Sequence, residues 1–163
     1  MNKKDISNIG SLIQEGQFFL AQKKIEELIS NEPNNLSYRN ILAIIYVKQK
    51  KFKDSIMVLK NIIIQSPKFI DAYINLGTIY NELNQLQDSE NCFKQVILID
   101  PNHTLALSHL ASLYDKKSNH EKALKINLKL IKINPNNLEV LNNYSGGLVK
   151  LGRLDEAKKN IKK

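Results

Sequence analysis

Four prolines, Pro33, Pro67, Pro101 and Pro135, stand 34 residues apart and are the only prolines in the chain. Proline cannot donate to a helical ladder, and it drives the residue before it out of the helical region. A stop signal at a fixed interval means that one structural unit is ended and restarted. Chains built this way bury the apolar face of each unit on its neighbours instead of folding around one centre. Function is then expected on an extended surface. The period divides the chain into residues 2–35, 36–69, 70–103, 104–137 and an incomplete 138–163.

Within each unit apolar residues recur twice at helical spacing. In the third, Tyr73, Leu76, Gly77 and Tyr80 form an i, i+3, i+4, i+7 stripe, and Ser89, Phe93, Val96 and Ile97 form a second one after a short polar turn at Asn84-Gln85. The unit is a helix hairpin. Its columns persist along the chain: Leu42, Leu76, Leu110, Tyr144; then a small residue, Ala43, Gly77, Ala111, Ser145; then Tyr46, Tyr80, Tyr114, Leu148. The second helix carries another small column, Ala21, Ser55, Ser89, Ala123, Ala157, where two helices can approach closely. Four residues on come Ile25, Leu59, Phe93, Asn127 and Ile161, with Asn127 the exception to an apolar series. Asn34-Asn35, Asn102-His103 and Asn136-Asn137 follow three of the prolines, and Asn is a favoured helix N-cap.

These residues resemble the tetratricopeptide repeat family. Tyr73, Leu76-Gly77, Tyr80, Ser89, Phe93, Val96 and Pro101 of the third unit sit on its pattern, and the resemblance covers nearly the whole chain. It implies an all-α fold: a right-handed superhelical solenoid of antiparallel helix hairpins. First helices would line a concave groove and second helices a convex back. The array would run through residues 1–163 as about five 34-residue units, the last incomplete. Two departures stand at the ends. In the first unit Ile9-Gly10 and Ile13 follow the pattern one residue late, which suggests an atypical N-terminal unit. The fifth stops at Lys163, so Leu154, Ala157 and Ile161 are expected to be partly unsealed and open to self-association.

Catalysis is poorly supported, and no enzyme activity or cofactor is expected. His103, His109 and His120 fall at different places in the unit and form no HxxxH or HExxH pair, so they do not read as a metal site. Cys92 lies beside Phe93 and reads as a small apolar residue; as the single cysteine it excludes an internal disulfide. No nucleotide-binding or nucleophile-elbow motif occurs. Gly146-Gly147 reads as a close-packing or kink position. Neither an export signal nor an apolar run long enough for a membrane span is present, so a cytoplasmic address is expected.

The net charge of +8 raises the question of nucleic acid. Unit by unit, however, the charge is −1, +6, −4, +4 and +3, and the acidic third unit breaks any continuous stripe. Lys60, Lys94, Lys125, Lys129 and Lys132 belong to second helices and read as a solubilising back. Lys48, Lys50, Lys51, Lys116, Lys117, Lys150 and Arg153 outline a basic edge at the hairpin turns, which Asn81, Glu82 and Asn84 break at the third unit. With no tryptophan, and with the tyrosines in packing columns, stacking platforms for bases are lacking.

The resemblance places the groove on particular first-helix columns: Asn40, Ile74, Ser108, Asn142; Ile41, Asn75, His109, Asn143; and Ile44, Thr78, Ser112, Gly146. Asn81-Glu82 and Asp115-Lys116 lie near the helix ends. Such a lining is mostly neutral and suits the backbone of an extended or helical peptide, with Glu82 and Asp115 selecting charge. Asn75 and Asn143 resemble part of the asparagine ladder of glycosyltransferase repeat domains. The dicarboxylate clamp that grips chaperone C-termini needs two Lys or Arg and two Asn from three successive first helices. Its columns here hold Ile6, Gly10, Ile41, Asp71 and Asn75, or Asn40, Ile44, Asn75, Leu105 and His109, or Ile74, Thr78, His109, Glu139 and Asn143. No window carries a lysine or arginine, so a chaperone ligand is disfavoured. The expected function is a non-catalytic scaffold that binds a protein or peptide through Asn40, Asn75, Thr78, Asn81, Glu82, Ser108, His109, Ser112, Asp115, Asn142 and Asn143. The alternative is the substrate-recognition part of a larger enzyme, such as a glycosyltransferase.

Overall fold

The computed structural model describes residues 3–161, with side chains described for 5–157. Among the described residues ten helices follow one another with short turns: α1 (Lys3–Gln14), α2 (Phe18–Asn31), α3 (Leu36–Lys48), α4 (Phe52–Gln65), α5 (Ile70–Glu82), α6 (Leu86–Ile99), α7 (Thr104–Lys116), α8 (His120–Ile133), α9 (Leu138–Lys150) and α10 (Leu154–Ile161). No strand occurs among the described residues. The fold is an all-α solenoid of helix hairpins. The chain divides into two compact units, Met1–Ile79 and Tyr80–Lys163.

Both kinds of turn keep the 34-residue period. Four second helices end at Glu32, Ser66, Asp100 and Asn134, each directly before a proline, with φ between −129° and −139°. This is the extended conformation that a following proline ring imposes. The next helix is capped two residues after the proline. Asn35 Oδ1 accepts from the Ser37 and Tyr38 amides, and Asn137 Oδ1 accepts from the Val140 amide. In the third case the cap is His103 and not Asn102: the Ala106 amide donates to His103 Nδ1 at 3.3 Å. Phe69 holds this place before α5 and has no side-chain acceptor to offer.

The turns inside the hairpins carry a feature absent from the sequence reading. Gly16, Lys50, Asn84, Ser118 and Gly152 all have positive φ, between 57° and 76°. A left-handed residue redirects the backbone between the two helices, and only two of the five are glycine. Gly16 stands in phase with the others, so the first unit keeps the common register instead of running one residue late. Its α1 core residues, Ile9 and Leu12, take the places held by Ala43 and Tyr46 in the next unit.

In the first compact unit Ile9, Leu12, Ala21, Ile25, Tyr38 and Ile45 form one core cluster. In the second, Leu107, Leu130 and Val140 form one cluster, and Leu124, Leu148 and Ala157 another. The small column of the second helices is buried throughout: Ala21, Ser55, Ser89, Ala123 and Ala157. Ser55 also donates to the Ala43 carbonyl at 2.9 Å, so a small side chain here both admits a neighbouring helix and ties to it. At the C-terminal end Ala157 is buried, against expectation, because Leu124 and Leu148 cover it. Leu154 is exposed as expected, and the Ile161 side chain lies outside the described residues.

Candidate functional site

Three of the predicted groove residues belong to the first compact unit. Asn40 on α3 is buried, not open. The reason is a side-chain pair: the Asn75 amide on α5 donates to Asn40 Oδ1 at 2.9 Å. Ile74, in the same column as Asn40, is also buried. Thr78 is exposed, and its hydroxyl donates back to the Ile74 carbonyl one turn earlier. The two asparagines therefore serve each other in part, and their polar capacity is reduced by one donor and one lone pair.

The second unit gathers more. An open pocket of about 190 Å³ lies among α7, α8 and α9, lined by Ser112, Asp115, Asn127, Asn142, Asn143 and Lys150, with Ala111, Ala123, Gly146 and Gly147 between them. Helix periodicity explains the gathering. Ser112 and Asp115 are three apart on α7, and Asn142, Asn143, Gly146 and Lys150 follow one face of α9. Ser112, Asn142 and Asn143 are exposed. Gly147 stands where α3, α5 and α7 carry a buried Ile45, Ile79 and Leu113. A Cβ there would lie 3.2 Å from Leu124 Cδ1, so the glycine makes room for Leu124. A Cβ at Gly146 would meet nothing within 4 Å outside its own helix backbone and would face open space.

Charge at this pocket is organised by Asp115. Its carboxylate takes Lys150 on one oxygen and His120 Nδ1, 2.7 Å away, on the other. The Lys150 hydrogen bond holds the Asp115 carboxyl below its usual range; burial opposes it, and the hydrogen bond from His120 adds a smaller lowering effect. The remaining predicted residues are placed separately. Ser108 is exposed and lines a different pocket with Thr104, Leu105, Leu130, Asn134, Asn137 and Val140. His109 is half-buried, stacked flat on Phe93 with ring centroids 4.8 Å apart and planes 8° from parallel. Burial pushes its pKa down, which favours the neutral ring. Asn81 accepts from Lys116 Nζ at 3.3 Å, and Glu82 is exposed.

A polar cluster missed from the sequence lies behind the hairpin turn. Glu90 is only 4% exposed. Lys117 reaches one oxygen at 2.6 Å, and Lys94 at 2.7 Å and the Tyr114 hydroxyl at 2.9 Å reach the other. Burial alone would raise its pKa; the hydrogen bonds from Lys117, Lys94 and Tyr114 outweigh that and bring it down to about 2. The Glu90–Lys94 pair is visible as an i, i+4 spacing, whereas Lys117 lies 27 residues away. The proposed basic edge is thereby largely engaged within the protein. Lys117 serves Glu90, Lys116 serves Asn81, Lys150 serves Asp115, and Arg153 makes two 2.7 Å bonds to Glu156. Lys51 lies over the Tyr46 ring and Lys50 over Phe52.

Among the described residues no three His, Cys, Asp or Glu side chains come together in a way that could hold a metal ion. Among the described residues no helix is long and apolar enough to cross a membrane. Cys92 is buried.

Comparison with known proteins follows the period. A family model described as tetratricopeptide repeat matches residues 70–103, and a second with the same description matches residues 106–137. No curated protein sequence matches at a significant level. Among solved structures, a crystal structure of MamA is similar with a TM-score of 0.81 at 23% identity, covering 93% of this chain and 89% of that one. A tetratricopeptide repeat protein from Parabacteroides merdae has a TM-score of 0.81 at 19% identity, over 97% of this chain and 63% of its own. A thermophilic TPR protein of Thermus thermophilus has a TM-score of 0.74 at 16% identity, over 98% and 88%. At these identities the likeness is one of fold.

Proposed function

The chain is a tetratricopeptide repeat protein, built of repeats that serve as protein-interaction scaffolds, and from that premise we propose that it is a non-catalytic scaffold holding an extended peptide segment of a protein partner. The observation that carries this reading is the α7–α9 pocket, where Ser112, Asn142 and Asn143 stand exposed with no hydrogen-bond partner among the described residues. A peptide backbone offers one donor and one acceptor per residue, and uncharged amides and hydroxyls answer both. Asp115 at the same pocket is paired with Lys150, so the lining carries little net charge there and hydrogen bonding sets the selection. Thr78, Asn75 and Asn81-Glu82 supply polar positions of the same kind nearer the N-terminus. The single buried cysteine fits a reducing, cytoplasmic setting.

The test is binding of peptides selected from a random library on the folded chain, followed by the Asn142→Ala, Asn143→Ala double variant. Affinity should fall about tenfold, as expected for losing two neutral hydrogen bonds, with the thermal midpoint almost unmoved. Undiminished binding by the folded variant would remove this face from the function.

A further inference from the structure

Asn127 is the one polar residue in a column that otherwise holds Ile25, Leu59 and Phe93, all but fully buried. It is 6% exposed, and its side chain has no hydrogen-bond partner among the described residues. An amide supplies less apolar packing than the Ile25, Leu59 and Phe93 of the same column, so packing does not account for its presence. Its amide is not sealed away either: among the described residues only Gln49 Oε1 is both shut off from solvent and unpartnered. Asn127 lines the α7–α9 pocket and reaches solvent through it.

The preceding step of the repeat explains why a pocket opens here. At α6–α7 the two columns hold Phe93 and His109, whose stacked rings fill the space between the helices. At α8–α9 the same columns hold Asn127 and Asn143. Gly146 takes the place of Ser112, where a Cβ would meet nothing within 4 Å outside its own helix backbone. Two rings become two amides and a side chain disappears. The result is a recess of about 190 Å³ with a neutral amide at its base and Ser112, Asn142 and Asn143 around it. Small-molecule sites run to roughly 300–1,000 Å³, so this recess matches one side chain better than a cofactor.

We infer that this recess is a specificity subsite for a side-chain carboxamide, a glutamine or asparagine of the bound peptide, received by the Asn127 amide. The inference rests on the peptide-binding reading of the same face. The chemistry selects the group. An asparagine amide presents an N–H donor and a C=O acceptor along one edge, and a second primary amide returns the complementary pair in two parallel hydrogen bonds. A carboxylate offers acceptors only and leaves the Asn127 carbonyl oxygen without a donor. An ammonium group offers donors only. An extended residue also presents its N–H and C=O on one side, but a recess of about 190 Å³ admits a side chain and not a main chain with its flanking residues.

The experiment is selection of random nine-residue peptides on the wild-type chain and on Asn127→Leu, a change to the residue type this column already accepts. Asn127→Ala serves as a second variant, and circular dichroism checks that both fold. Wild type should enrich glutamine or asparagine at one fixed position. Replacing that residue by methionine should weaken binding roughly ten- to hundredfold, the loss of two hydrogen bonds. On Asn127→Leu the preference should invert in favour of methionine while the other positions stay selected. Peptides enriched without a carboxamide, or with one that Asn127→Leu still prefers, would overturn the subsite and leave the groove standing. If the wild-type chain selects no peptide at all, the groove reading fails and the subsite with it.

Discussion

Glu90 is the residue on which pH acts most directly. Its carboxyl titrates near 2 in the folded chain, against an ordinary value of about 4.3. The unfolded chain therefore takes up this proton first as pH falls. The stabilisation is fully present above the unfolded value and is lost as pH drops from about 4.5 toward 2; linkage sets it at up to about 3 kcal/mol. Denaturant midpoints measured from pH 6 down to 3 should fall in the wild type and change less in Glu90→Gln. The asparagines separate by the same reasoning. Asn75→Ala leaves the buried Asn40 without its donor and should cost about 1 kcal/mol, whereas Asn143→Ala, exposed and unpartnered among the described residues, should lie within about 0.5 kcal/mol of wild type in chemical denaturation. The sequence marks Asn75 and Asn143 as two rungs of one column. Their difference comes from the residue opposite each, which a column cannot display.

At the scale of the hairpin, the left-handed turn residue is the most accessible lever. Ser118 has φ 57° and Gly152 has φ 73°. A side chain in this region costs roughly 1–2 kcal/mol, partly offset by the entropy that glycine loses on folding. Ser118→Gly should therefore stabilise the chain by up to about 1 kcal/mol, and Gly152→Ala should destabilise it by about 1 kcal/mol or more. Opposite shifts of the thermal midpoint in the two variants would check the pair. The helices, their proline stops and the small columns were all legible from spacing. The turn column was not, because Lys50 and Ser118 give no propensity signal for positive φ. The capping role of His103 was missed for a related reason: asparagine beside it is the better cap by propensity, but position after the proline decides which side chain meets the free amides.

For the molecule as a whole, a net charge of +8 predicts general attraction to acidic polymers, but the lysines and arginine of the hairpin-turn edge are mostly engaged internally. Peptide binding at the Asn-lined face should accordingly change little between low and high salt, while binding to nucleic acid would fall steeply; isothermal titration at two ionic strengths separates them. The period of 34, the all-helical hairpin and the core columns of all but the first unit follow from the sequence by itself. They depend on local backbone preference and on hydrophobic spacing, both of which are written along one chain direction. What only the tertiary structure decided is which polar residues are available: that Asn40 is spent on Asn75, that Lys117 belongs to Glu90, and that Asn127, an apparent flaw in an apolar column, forms the base of a pocket. Those outcomes depend on distances between residues on different helices, often some 30 positions apart in sequence, and packing alone sets such distances.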